Sequence, residues 1–195
     1  HNLASVLKAT DLARITDTIR LIQNRCKTIS ALKVAVNKEN GMNEVDDLQK
    51  LIEQSFWIFG EEYNIVTQAE PDFNQALMSF LDKLHGDVNG KSKSNYSKNK
   101  IEHPDVNKEM DIFAFRQNVQ NQTIENIVVE LKHPKIKLGE KELSQVKTYM
   151  NVIMSEPQFN ASNMSWKFYL VGNDFDSSNY IRNEINSNIN WGKKN

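Results

Sequence analysis

The chain has one cysteine, Cys26, among 195 residues, so it can form no disulfide within itself, and its cysteine content argues against a structural zinc cluster. Its four histidines, His1, His85, His103 and His133, are scattered and offer no metal-ligand spacing. Charge of one sign is also lacking. The formal net charge of −1 gives no overall pull toward nucleic acid or membrane, so any such partner has to be met by a local patch. No apolar run approaches the roughly 20 residues of a membrane span, and no signal peptide is visible. These absences lead us to expect a cytoplasmic protein with no membrane partner. The first residue is not methionine and the last five read "WGKKN". A piece cut from a longer protein, with an N-terminal or ATPase domain missing, is therefore expected.

What is present is ordinary soluble composition, 39% hydrophobic and 25% charged, in a length that supports one substantial core. Residues 10–36 read as one long helix, because Leu12, Ile15, Ile19, Ile22, Cys26 and Ile29 recur at alternating steps of three and four. That stripe either packs on the rest of the domain or forms a connector or homo-oligomer seam, so residues 1–40 are read as a helical connector or oligomerisation segment. After "NKENGMNE" a second helix is expected over 44–57, with Leu48, Leu51, Ile52 and Phe56 on its apolar stripe. A strand over Tyr63–Gln68 and a helix from Pro71 to Leu84 follow. Residues 86–102 form a basic loop carrying Lys91, Lys93, Lys98 and Lys100, either a solvated face or a phosphate-contacting one. Strands at 109–115 and 123–133, a helix near 139–154, a strand at 166–172 and a helix at 176–188 complete residues 41–195 as one domain. The predicted fold is an α/β sandwich around a mixed four-stranded sheet flanked by helices, with a hairpin feeding a crossover helix.

Within that plan, residues 127–134, "IVVELKHP", put charges into a greasy strand. Alternation places Glu130 and Lys132 on one face and Val129 and Leu131 on the other. The preceding strand supplies Asp111 in "MDIFAF", which an antiparallel hairpin brings opposite Glu130. Two carboxylates a few ångströms apart repel unless one is protonated or a cation lies between them. A Mg²⁺ (or Mn²⁺) ion held by Asp111, Glu130 and the Leu131 carbonyl, with Lys132 beside the attacking water, fits the pattern. Gln145 and Tyr149 lie four apart on the next helix and share a face. Lys135 and Lys137 follow the strand and suit phosphates, while His133 points away from Lys132.

An acid on one strand and Glu-X-Lys on the next, here "MDIFAF … VVELKHP", resembles the PD-(D/E)XK nuclease superfamily, whose fold is restriction-endonuclease-like. Gln-X-X-X-Tyr on the following helix resembles several branches of it. Over roughly residues 44–174, "SFWIFGEEY … VVELKHPKIKLGEKELSQVKTY … WKFYLVGND" looks like the Shedu-type antiphage nuclease domain and like modules at the C-terminus of bacterial GHKL-type ATPases. The resemblance implies a homo-oligomeric bacterial defence effector that cuts DNA, double-stranded by preference, with Asp111, Glu130, Lys132, Gln145 and Tyr149 as catalytic residues. It also implies a metal-proximal glutamate on the first core helix, for which Glu44 is the candidate, with Glu53 read as outward-facing. The proline expected before the strand acid is missing, since Met110 precedes Asp111, whereas a literal Pro-Asp stands at Pro104-Asp105. Asp105 is thus the alternative strand acid. A nuclease-like fold that only binds nucleic acid or a partner protein is the competing expectation.

Overall fold

The structure is a computed structural model, and it describes residues 12–37, 45–67, 72–85 and 101–191. The chain divides into two compact units, residues 1–43 and 44–195. In the first, helix α1 spans Leu12–Ala35, and Leu12, Ile19, Ile22 and Ile29 of its stripe are exposed, as is Cys26.

The second unit runs α2 (Val45–Glu53), a 3₁₀ turn (Phe56–Ile58), β1 (Asn64–Ile65), α3 (Phe73–His85), β2 (Ile112–Asn118), β3 (Thr123–Leu131), β4 (Lys137–Leu138), α4 (Glu140–Ser155), a second 3₁₀ turn (Pro157–Phe159), β5 (Met164–Val171), β6 (Asp174–Phe175) and α5 (Asn179–Trp191). Four strands form a mixed sheet in the order β1-β2-β3-β5. β1–β2 and β2–β3 are antiparallel and β3–β5 is parallel, with α4 in the crossover. The domain is therefore mixed α/β, a four-stranded mixed sheet flanked by helices.

Local chemistry sets the element ends. Asp72 caps α3 by accepting the Gln75 N–H at 2.8 Å, and the Glu142 carboxylate accepts the Gly139 N–H at 3.0 Å at the start of α4. Gly60 takes φ +140°, a backbone state suited to glycine, where the chain leaves the first 3₁₀ turn for β1. In the β2–β3 turn, Asn118 accepts the N–H groups of Gln120 and Asn121.

Alternation divides the sheet. Phe113 and Phe115 of β2, Val128 of β3, and Trp166 and Phe168 of β5 face the main core with α3 and α4. Phe80 of α3 is wholly buried there, its ring 5.3 Å from Phe113, 5.1 Å from Phe115 and 6.1 Å from Trp166. The other face carries Ile112, Ala114, Ile127 and Val129, all buried, and Phe59 packs there on Tyr169 at 5.2 Å.

Several boundaries differ from the sequence expectation. The strand expected over 63–68 pairs only at Asn64 and Ile65. The strand expected over 109–115 runs Ile112–Asn118, because "RQN" pairs with the start of β3 despite its polarity. Asp111 therefore precedes β2 instead of lying inside it. Glu109 makes an isolated bridge with Asp72. The β4–β6 pair was not expected at all; two-residue strands are too short to show alternation.

On the face opposite Phe113, Arg116 and Glu125 are cross-strand partners, with Arg116 Nη2 2.9 Å from both carboxylate oxygens and Lys167 Nζ at 3.5 Å. The Arg116 hydrogen bond holds the Glu125 carboxyl below its ordinary range. A depressed carboxylate contributes stability that is present above the ordinary carboxylate pKa and lost as pH falls through the depressed value. Acid melts should therefore show wild type losing its margin over Glu125→Gln as pH drops through that window; parallel curves for the two proteins would refute the linkage.

Candidate active site

Glu130 is the penultimate residue of β3 and 3% exposed, on the same face as Val128. Its Oε1 accepts Lys132 Nζ at 2.6 Å, and its Oε2 lies 3.1 Å from the Tyr149 hydroxyl. Lys132 Nζ also donates to Gln145 Oε1 at 2.8 Å, and Gln145 Nε2 donates to the Tyr149 hydroxyl at 3.0 Å. Glu130, Lys132, Gln145 and Tyr149 thus close a ring of hydrogen bonds between β3 and α4. The two-residue offset on the strand and the four-residue offset on the helix bring these pairs face to face. The amide orientation of Gln145 follows from its neighbours, oxygen to the ammonium and nitrogen to the phenol.

Burial is the largest influence on Glu130 and pushes its carboxyl above the usual range, against the pull of Lys132. The phenol of Tyr149, wholly buried, is likewise pushed up by burial and then by the Glu130 charge. It has a single proton and two acceptors, the Glu109 carbonyl at 2.5 Å and Glu130 at 3.1 Å. One proton serves both acceptors, so the phenol is a donor shared between the Glu109 carbonyl and Glu130.

Asp111 joins from just ahead of β2. Its Oδ2 accepts the Leu131 N–H at 2.5 Å, just beyond the last β2–β3 pair, Ile112 with Val129. Its carboxylate also bears electrostatically on Tyr149. Asp105 is elsewhere: it sits in the turn before β2, its carboxylate 2.9 Å from Lys108 Nζ and 4.0 Å from His103 Nδ1. Of the two acids, Asp111 is the one brought to the Glu130 strand.

Glu44 and the loop lysines Lys91, Lys93, Lys98 and Lys100 lie outside the described residues. Lys135 is exposed, and Lys137 is exposed with Asp174 at 3.5 Å. His133 Nδ1 accepts the Lys135 N–H at 3.1 Å, a turn-forming role. Trp166 is a core-edge aromatic whose indole donates to the Phe159 carbonyl.

Two groups escaped the sequence reading. Gln49 of α2 is 6% exposed, and its Nε2 donates to the Asp111 carbonyl at 3.1 Å and to Glu53 Oε1 at 3.0 Å. Glu53 is therefore half-buried and engaged, not outward-facing. The Glu109 carbonyl is the other. Neither had a periodic signal; only the shared helical face of Gln49 and Glu53 hinted at a pair.

The donor chemistry of Asp111, Glu130 and the Leu131 carbonyl is all hard oxygen, which suits Mg²⁺ or Mn²⁺. The raised Glu130 pKa shows that the Lys132 ammonium alone does not offset burial. Among the described residues no three His, Cys, Asp or Glu side chains gather closely enough to hold a metal without a carbonyl. The donor types match a hard cation, while both Glu130 oxygens are engaged by Lys132 and Tyr149 and one Asp111 oxygen by the Leu131 N–H.

A separate cavity of about 340 Å³ lies between α4, α5 and β5, lined by Leu138, Val146, Met150, Leu170 and Phe175, with the Lys147–Glu184 pair at 2.9 Å. Its lining is apolar and carries none of the ring residues. Comparison with protein-family models, with curated proteins and with solved structures gives no match.

Tyr149→Phe keeps the ring packed against Phe73, 5.1 Å away, but leaves the buried Glu109 carbonyl and Glu130 short of a donor. Denaturant melts should register a loss of about 1–3 kcal/mol; a neutral substitution would mean that the network contributes nothing to stability.

Proposed function

We propose that this chain is a metal-dependent endonuclease domain of restriction-endonuclease-like fold that hydrolyses phosphodiester bonds of DNA. The observation that carries the reading is Asp111 bonded to the Leu131 N–H beside the buried Glu130–Lys132 pair. An acid on one strand and Glu-X-Lys on its antiparallel neighbour is the resemblance noted in the sequence, now with a short path between the two.

Under this reading Asp111, Glu130 and the Leu131 carbonyl hold Mg²⁺ or Mn²⁺, with Glu44 as a further candidate. When bound there, the ion would supply a lowered pKa for water and a polarised phosphate. Lys132 keeps one ammonium proton directed at Glu130 and one at Gln145, and its third faces the water or the developing phosphate charge. Gln145 fixes the ammonium, and Tyr149 fixes Gln145 and Glu130. Lys135 and Lys137, at the end of the strand, and Lys91, Lys93, Lys98 and Lys100 contact the DNA backbone. The same reading has the chain act in the cytoplasm of a bacterium as the effector domain of an antiphage defence protein, joined into a homo-oligomer through α1.

A second reading is favoured by one observation: both Glu130 oxygens already have protein donors. In it the fold binds nucleic acid or a partner protein without cutting.

Purified protein should cleave duplex DNA with Mg²⁺ or Mn²⁺, and Lys132→Ala should lower the rate by about 10²–10⁴ while circular dichroism stays native. Equal cleavage by the variant, or none by wild type in either metal, overturns the nuclease reading. DNA binding without Mn²⁺ uptake in calorimetry selects the second reading.

Replacing Lys135 and Lys137 with alanine should weaken binding to all DNA sequences alike. The slope of log K against log salt should become shallower by about one for each phosphate that the protein ceases to neutralise. An unchanged slope would remove these lysines from the interface.

A further inference from the structure

The Gln49 amide is unusual in being fully used at one end and unused at the other. Both Nε2 protons are taken, one by Glu53 Oε1 at 3.0 Å and one by the Asp111 carbonyl at 3.1 Å. Its Oε1 is buried without a partner among the described residues, at a residue 6% exposed. Leaving a buried acceptor unpaired is unfavourable, a cost set against the two bonds that the nitrogen makes. The orientation is not arbitrary, because turning the amide over would set its oxygen against two acceptors. What the glutamine does accomplish is to hold the peptide of Asp111, which lies outside the β2–β3 ladder.

We propose that Gln49 is a positioning residue that fixes the Asp111 main chain from α2, so that the Asp111 carboxylate is presented alongside Glu130. This rests on the reading of Asp111 and Glu130 as the carboxylates of a divalent-cation site. Leu48 and Ile52, adjacent to Gln49 and Glu53 in sequence, are buried and anchor α2. Gln49 transmits that anchoring across 62 residues of sequence to the strand acid. Groups that orient a ligand without touching the ion commonly govern affinity by about 10–100-fold.

Gln49→Leu separates this role from a structural one. The substitution removes the orphaned oxygen but also takes the Nε2 donor from the Asp111 carbonyl and Glu53, so thermal melts of the metal-free protein should fall modestly whichever role is right, and the metal and rate readouts decide. Mn²⁺ affinity by calorimetry should fall about tenfold or more, and kcat on duplex DNA should fall with KM unchanged. Gln49→Met, unbranched and of similar length, decides by the same comparison if the leucine does not fold. A variant that melts lower yet binds Mn²⁺ and cuts as wild type does overturns the positioning role and leaves the nuclease reading standing. A wild-type protein that neither binds Mn²⁺ nor cuts removes both.

Discussion

A carboxylate moved out of water loses several kcal/mol of solvation, and it is tolerated only where donors meet both of its oxygens. Glu130 is in that position, with an ammonium on one oxygen and a phenol on the other. Much of the second unit is arranged around this requirement. Val128 buries β3 two residues earlier, so the strand cannot rotate Glu130 toward water. The crossover delivers α4 with Gln145 and Tyr149 one turn apart. Tyr149 in turn packs on Phe73 of α3 and takes hold of the Glu109 carbonyl, tying the approach to β2 into the same network.

Packing alone gives no reason for a carboxylate at position 130. An apolar residue at 130 would fill the space without the desolvation cost, and exchanges of that kind are often neutral or stabilising. Burial pushes the Glu130 carboxyl above its ordinary range despite the Lys132 ammonium beside it. A proton meets that burial cost, and under the proposed reading a divalent cation would do so too.

Much of this ring was legible in the sequence because its members obey local periods. Glu130 and Lys132 share a strand face, and Gln145 and Tyr149 share a helix face, so each pair shows in a window of a few residues. Asp111 was legible as a residue but not in its setting. "EMDIFAF" reads as a continuous strand, and only pairing with β3 and the diversion of Glu109 to Asp72 and Tyr149 shift its start to Ile112. Gln49 was illegible because its partner is 62 residues away and a glutamine on an amphipathic helix usually faces water. The mixed sheet followed from the order of elements, whereas β4 and β6 depend wholly on tertiary pairing.

The chain between α3 and β2 has a further consequence. Ile101 is 2% exposed and its N–H is held by Asn74, while the carbonyls of Val106 and Lys108 accept the N–H groups of Asn74 and Phe73 at the start of α3. The segment leaving α3 at His85 therefore returns to the same helix before it reaches the site. Loop-closure entropy rises only by about 0.6 kcal/mol for each doubling of length. The bonds that residues 101–108 make back to the start of α3 thus tie the approach to Asp111 to that helix, whatever the length of chain between them.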